Sequence, residues 1–391
     1  MKNIILYDTP NIHSSLLPLT FTRPIAELTI GFGTIKEKWK RLLPGCYSYS
    51  TIDYLSELYP SLSRAEESIT IMSNIIPTID LANTIAELNV GELLTFDDGS
   101  PIAMNGFSNP SEAKATKVFK GKAIVLEHSY DLFLNNGEVI ECDFNIIAKN
   151  QQSQPISTTN TVIGNPELVF IAEGATVEGV CLNTKGGPIY IDRDTEVMEG
   201  SCLRGPIYIG QHATVNMATK MYGATTIGTH CKVGGEINNV IMHPYSNKAH
   251  DGFLGNSIIG SWCNLGAGCV ASNLKNDYTE IKLWDYHSRR FMRTGLQFCG
   301  LIMGDHSKAG INTMFNTATM VGVGVNIHGT GFPRNFVASF SEGSAGTGFT
   351  DVTLTKFFSI AERMMARRGI TLDEPMRRLY TALFELTEEN K

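Results

Sequence analysis

From Ile191 to Val233, apolar residues recur at every sixth position: Ile191, Val197, Leu203, Ile209, Val215, Met221, Ile227 and Val233. An α-helix repeats near every 3.6 residues and an ordinary strand every 2, so neither gives this spacing. Four residues after each stands a small or β-branched side chain (Thr195, Ser201, Ala213, Thr219, Thr225 and Cys231), with bulkier Ile207 and Ile237. The pattern predicts a parallel β-helix of hexapeptide repeats, in which short strands wind a triangular prism and inward side chains stack. Its coils run from about Ile163 to Phe340. The phase slips by two residues before Ile259, marking Met242–Leu254 as a small excursion. A longer one, Asn273–Gly300, carries Trp284, Tyr286, Arg289, Arg290 and Arg293, an oligomer contact or a phosphate contact. The repeat returns at Met303, Ala309, Phe315, Val321 and Ile327.

Residues 1–150 lack the six-residue period. Ile4–Tyr7 reads as a strand and Thr34–Leu43 as a helix, with further apolar runs at Ser68–Met72, Glu92–Phe96 and Val139–Ile147. This alternation predicts an α/β domain. Residues 151–162 have linker composition, residues 163–345 form the β-helix, and residues 351–391 read as two helices. Thr371 with Glu374 predicts a capping box, followed by the stripe Met376, Leu379, Leu383 and Leu386. Packing over the open end of the solenoid is the expected role of these helices, because an uncapped coil exposes a strand edge.

The net charge of -7 over 391 residues argues against a nucleic-acid binder. It leaves room for an anionic small ligand held by a few local cations. No apolar run approaches the ~20 residues of a membrane span, and the early Asp8 makes the N-terminus a first strand and not a signal peptide. Eight cysteines show neither a CxxC pair nor disulfide spacing; Cys231, Cys263 and Cys269 fall on small inward positions. Reduced cysteines in a cytoplasmic protein are the expectation.

The segment MHPYSNKAHDGFL at Met242–Leu254 is followed by GNSIIGSWCNLGAGCVASNL. Lys248-Ala249-His250, Leu254-Gly255 through Ile259-Gly260, Asn264-Leu265-Gly266-Ala267-Gly268 and Asn273 follow in order. This stretch resembles the acetyltransferase half of the bifunctional N-acetylglucosamine-1-phosphate uridyltransferase/glucosamine-1-phosphate acetyltransferase family. The resemblance implies a left-handed β-helix in which His250 is the catalytic base and the Ala267 N–H the oxyanion donor. Acetyl transfer to an amine needs both, a proton acceptor and donors for the tetrahedral oxyanion. It also implies that Asn264 contacts the sugar phosphate, that Asn273 lies near acetyl-CoA, and that the acceptor is an amino-sugar 1-phosphate.

Coils of eighteen residues would place Lys220 and Asn238 one above the other, at positions where the family carries a basic residue for the sugar phosphate. Lys220 keeps the charge and Asn238 lacks it; Lys248 is a candidate replacement. Phe253 stands where the family has Tyr. His243, beside Pro244, reads as structural. Asp305-His306 reads either as an acid–base unit near acetyl-CoA or as corner residues satisfying the backbone.

The N-terminal domain resembles a divergent sugar-1-phosphate nucleotidyltransferase through Ile4–Tyr7, Leu19-Thr20-Phe21-Thr22-Arg23-Pro24 and Thr34-Ile35-Lys36-Glu37-Lys38-Trp39. That family opens with a glycine-rich loop whose N–H groups hold the triphosphate. Here Asp8-Thr9-Pro10 follows the strand, and Gly31-Phe32-Gly33-Thr34 sits at a helix start, where capping accounts for it. Arg23, Lys36 and Lys38 are the candidate nucleotide contacts. The resemblance implies Mg²⁺ for nucleotidyl transfer; Asp143 is the one carboxylate singled out for it, and Asp97-Asp98 reads as a hairpin turn. The three-sided prism and the resemblance imply a homotrimer, and the pairing of domains implies an enzyme that acetylates a sugar phosphate and then attaches a nucleotide. Two alternatives stand beside it: a single-activity acyltransferase whose front domain only binds sugar or nucleotide, and a non-catalytic regulatory subunit.

Overall fold

A computed structural model describes residues 2–61 and 68–388. An α/β domain leads, a parallel β-helix follows, and two helices close the described chain. In the first domain, Asn3–Tyr7 is the strand around which the sheet grows, parallel to Cys46–Ser50 on one side and Ser68–Met72 on the other. Pro101–Asn105 runs antiparallel to Ser68–Met72 and to Glu92–Thr95, with Asp97-Asp98 in the hairpin turn. Thr34 caps the helix Ile35–Leu42 in a capping box with Glu37, and Trp39 is buried beneath it. The run Val139–Ile147 belongs to a helix, Asp131–Ile147, which buries Leu132, Asn136, Val139, Ile140 and Asp143 at helical spacing.

Three walls make the β-helix, and one coil shows them in order: Ile189–Ile191, Glu196–Val197 and Cys202–Arg204. Each pairs in parallel with the strand eighteen residues on. Every residue of the six-residue register is buried, as are the small Thr195, Ser201, Ala213, Thr219, Thr225 and Cys231 between them. The first coil differs in detail. Val162, and not Ile163, is the inward partner of Leu182, while Ile163 is exposed.

Met242–Leu254 is part of the wall and not an excursion. Asn247–Lys248 pairs in parallel with Lys232–Val233, and Asn247 with Asn264. The slip in phase arises because the turns shorten: coils here take 15 to 17 residues. Asn273–Gly300 does leave the prism, as a hairpin of Lys282–Asp285 and Arg290–Arg293. Trp284 stacks on Phe336 at 4.2 Å, and Tyr286 meets Phe21 edge-on at 5.2 Å, so these two aromatics tie the hairpin to the chain itself.

At the corner between the first and second walls the backbone turns through positive φ at His212, His230, Tyr245, Trp262 and His306. Their rings form a ladder, with centroids 4.2 Å apart at Tyr245–Trp262. The closing helices, Leu354–Ala366 and Glu374–Thr387, lie along this flank and not over the open end. Phe357 packs on Phe340 and His306, and Arg368 donates to the His230 carbonyl at 3.1 Å. The last rung, Ser341–Ser344, is instead covered by the antiparallel strand Gly348–Asp351. The second helix is capped by Asp373 and not Thr371; Leu379 and Leu383 are buried, whereas Leu386 is exposed.

The N-terminal domain docks on the first wall. Phe32 packs on the outward rings of Tyr190 and Tyr208, and Asn136 donates to the Ala224 carbonyl at 2.9 Å. Gly31 has φ +58°, and a Cβ there would meet Asp143 at 2.5 Å, so the turn that presents Phe32 requires glycine.

Candidate functional site

His250 is exposed at the corner between the second and third walls. The coil of 17 residues that pairs Asn247 with Asn264 brings Ala267 to the same corner, one rung away. The Gly268 N–H donates to the Asp251 carbonyl at 3.0 Å, and the Asn312 N–H to the Ala267 carbonyl at 2.7 Å. Asp251–Gly252, Ala267–Gly268 and Ile311–Asn312 are thus stacked turns, with His250 at the head of the first. Gly252 stands at φ +126°, and a Cβ there would meet the Cys269 carbonyl at 2.0 Å. Met217 and Ile311, on the same corner, are 65% and 71% exposed.

The third wall borders this corner and carries four of the expected contacts. Lys220 pairs with Glu236, and Asn238 with Tyr222, so the expected Lys220–Asn238 stack does not form: the coil is 16 residues long there. Tyr222 donates its hydroxyl to Glu236 at 2.6 Å. Phe253 follows Glu236 in the same outward row, and the Asn273 amide donates to Asn256 Oδ1 at 2.7 Å. Lys220, Asn238, Phe253 and Asn273 therefore share one face beside His250.

Three other candidates lie elsewhere. Lys248 is 1% exposed and points into the prism, on the inward column between Val233 and Leu265. Its ammonium donates to the carbonyls of Gly234 (3.0 Å) and His250 (2.6 Å), and burial pushes it down to about 8. It cannot supply the charge missing at Asn238. Asn264 is exposed on the second wall, where it lines a cleft beneath the helix Leu354–Ala366. Asp305 is buried at the far corner, where its carboxylate accepts from Thr22 Oγ1 and the Ser261 N–H at 2.8 Å each and pairs with Arg23. His306 joins the aromatic ladder, and burial holds its imidazole well below the usual range. Both side chains are thus taken up by contacts within the chain.

The nucleotide candidates are also engaged. Arg23 reaches out of its domain to Asp305, with Ser261 at 3.2 Å and His243 at 3.3 Å. Lys36 is tied to Glu27 and to the Tyr49 hydroxyl at 2.6 Å. Lys38 is buried against Asp143, and desolvation lowers its ammonium despite that partner. Asp143 also faces Arg41 and accepts the Phe32 N–H at 2.8 Å. At the carboxyl end of the first strand, Asp8 accepts from the Ile25 N–H at 3.1 Å and Thr51 Oγ1 at 2.7 Å, and bonds to His13 and Ser73. Asp8 and Asp143 thus both already have internal donors. Among the described residues no three His, Cys, Asp or Glu side chains gather as a metal site. Asp143, the carboxylate singled out for the ion, is engaged by Lys38, Arg41 and the Phe32 N–H.

The aromatic ladder escaped the sequence reading, although a signal exists. Each of its members falls three residues after an inward residue, as in Ile209-Gly210-Gln211-His212 and Ile259-Gly260-Ser261-Trp262. The Arg23–Asp305 tie has no such signal, since the two residues are 282 positions apart.

Residues 4–152 match the family described as Sugar nucleotidyl transferase. The Bifunctional protein GlmU of Methanocaldococcus jannaschii is 32% identical over 87 residues, 22% of this chain and 21% of that protein. The chain thus matches about a fifth of that relative's length. Among solved structures, the polySia specific acetyltransferase NeuO aligns at 14% identity and TM-score 0.30, covering 55% of this chain and 99% of that one. The polysialic acid O-acetyltransferase OatWY aligns at 12% identity and TM-score 0.20, covering 50% and 85%. Both sequence matches agree with the likeness read from the sequence, a divergent relative of the bifunctional uridyltransferase/acetyltransferase. No helix among the described residues is long and apolar enough to cross a membrane.

Proposed function

We propose that the chain transfers an acetyl group from acetyl-CoA to the amine of an amino-sugar 1-phosphate at the His250 corner. The observation that carries this reading is the stacking of the exposed His250 turn on Ala267–Gly268, beside a wall bearing Lys220, Asn238 and Phe253. The amine attacks the thioester carbonyl while the imidazole takes its proton, and the Ala267 N–H faces the oxyanion. Collapse breaks the C–S bond, and the imidazolium returns its proton to the departing thiolate. Glucosamine 1-phosphate is the proposed acceptor, with Lys220 the cation for its phosphate and Asn273 close to the acetyl donor. We assign the corner to a homotrimer in which a second copy closes it, because Met217 and Ile311 leave apolar surface on either side.

A front domain that holds a sugar or nucleotide without nucleotidyl transfer is the second reading. The internal engagement of Asp8, Arg23 and Asp143 favours it over a retained nucleotidyl step.

Incubation with acetyl-CoA and glucosamine 1-phosphate, followed by titration of free thiol, tests the proposal. Thiol release that depends on the sugar phosphate is the expected result; no release above the rate without sugar contradicts it. Addition of nucleoside triphosphate and Mg²⁺ separates the two readings through pyrophosphate release.

A further inference from the structure

The helix Leu354–Ala366 lies over the second wall and leaves a cleft of about 520 Å³. Five cations line it: Lys232 and Lys308 from the wall, and Arg363, Arg367 and Arg368 from the helix and its end. No carboxylate is among the described residues that line it.

Strand register explains the wall side. Lys232, Asn247, Asn264 and Lys308 occupy one outward row on four successive rungs. At ~4.8 Å per rung the two lysines stand roughly 14 Å apart, with the two amides between them. Helical periodicity explains the other side, since Arg363 and Arg367 are four residues apart and face the same way. Like charges at that spacing repel, and an isolated helix gains nothing from them.

Elsewhere on these helices the cations have acid partners. Arg377 pairs with Glu362, Arg378 with Glu57 and Lys356 with Glu342. Within the cleft the contacts are to backbone oxygens, Lys308 to the His306 carbonyl at 2.8 Å and Arg368 to the His230 carbonyl at 3.1 Å, which leave the charge uncompensated. Burial pushes Lys308 down to about 8, the effect of a cation held out of water without a counter-charge.

We propose that this cleft binds an organic pyrophosphate, the anion shared by nucleoside polyphosphates and coenzyme A. Guanidinium forks from the helix and ammonium groups from the wall meet phosphate oxygens from opposite sides. The row of four rungs is longer than a single phosphate needs. Ala249, on the cleft wall, immediately precedes His250, so a ligand held here ends beside the corner. The inference goes beyond the acetyl-transfer reading, because binding in the cleft requires no chemistry at His250.

The test is calorimetric titration of the full chain with inorganic pyrophosphate, uridine triphosphate and coenzyme A, repeated on an Arg363→Gln/Arg367→Gln double variant. Both arginines are exposed, so the variant keeps the wild-type circular dichroism. At least one organic ligand binds the wild type, is displaced by pyrophosphate and weakens with added salt. In the double variant its affinity falls about ten- to a hundredfold. Binding of coenzyme A alone identifies the source as the acyl carrier, and binding of the triphosphate alone identifies a nucleotide. If neither binds, or if the double variant binds as tightly as the wild type, the proposal is wrong. A His250→Ala variant binds as the wild type does, which separates failure of this site from failure of the transfer reading.

Discussion

The guanidinium of Arg23 in the N-terminal domain and the carboxylate of Asp305 on the β-helix form a buried ion pair across the domain boundary. Thr22 and Ser261 complete the donors around Asp305. Removing one member of such a pair leaves a buried charge alone, at a cost of about 3–5 kcal/mol. Arg23→Ala is therefore expected to lower the urea midpoint and to reduce every activity of the chain together. Unchanged stability with selective loss of one activity would return Arg23 to a ligand-binding role.

His243 and His306 are buried beside Arg23 and Lys308, and burial holds both imidazoles well below the usual range. They stay neutral in the fold, whereas the unfolded chain takes up protons below its histidine pKa near ~6.5. The unfolded state then binds more protons, so stability falls as pH drops through 6 and 5, by up to about 1.4 kcal/mol per unit for each histidine. Equilibrium unfolding from pH 7.5 to 5 checks the slope. It should be shallower in His243→Gln, and an equal slope in the variant would contradict this account.

Lys248 puts an ammonium among valine and leucine inside the prism. Because burial lowers it to about 8, its unfavourable contribution is fully present below that pH and fades toward the unfolded value near ~10.4. Lys248→Met is expected to be neutral or to stabilise by about 1 kcal/mol at pH 7, with acetyl transfer unchanged. Thermal melts and the thiol assay on the same preparation decide this. A destabilised variant, or a stable one with lost turnover, would show that the ammonium matters beyond packing.

Light scattering of the wild type should return three times the chain mass. Met217→Asp with Ile311→Asp, both on exposed corner positions, should yield monomer with an intact fold. A wild-type monomer with full activity would remove the shared corner.

The β-helix was legible because a six-residue period has one structural explanation, and inward residues such as Val215 and Ile227 carry it without help from distant sequence. Coil length was harder to read. The shortened turn at Gly234-Gly235 paired Lys220 with Glu236, a second near Asn239 helped move Lys248 onto an inward position, and periodicity extrapolated at eighteen cannot see the missing residues. Roles that depend on partners across domains were invisible. Arg23 and Lys38 look like phosphate ligands by residue type, yet each meets a carboxylate, one on the far domain and one on the long helix. Thr371 looked like a cap because Glu374 follows at the right spacing; Asp373 holds the position through its own carboxylate.

The central claim is that His250 at its stacked corner takes the proton of the attacking amine, and the direct measurement is acetyl transfer by His250→Ala against wild type. The side chain is exposed, so folding should be unchanged while turnover with acetyl-CoA and glucosamine 1-phosphate falls by about two to four orders of magnitude. A folded variant that turns over at a near-normal rate would contradict the account.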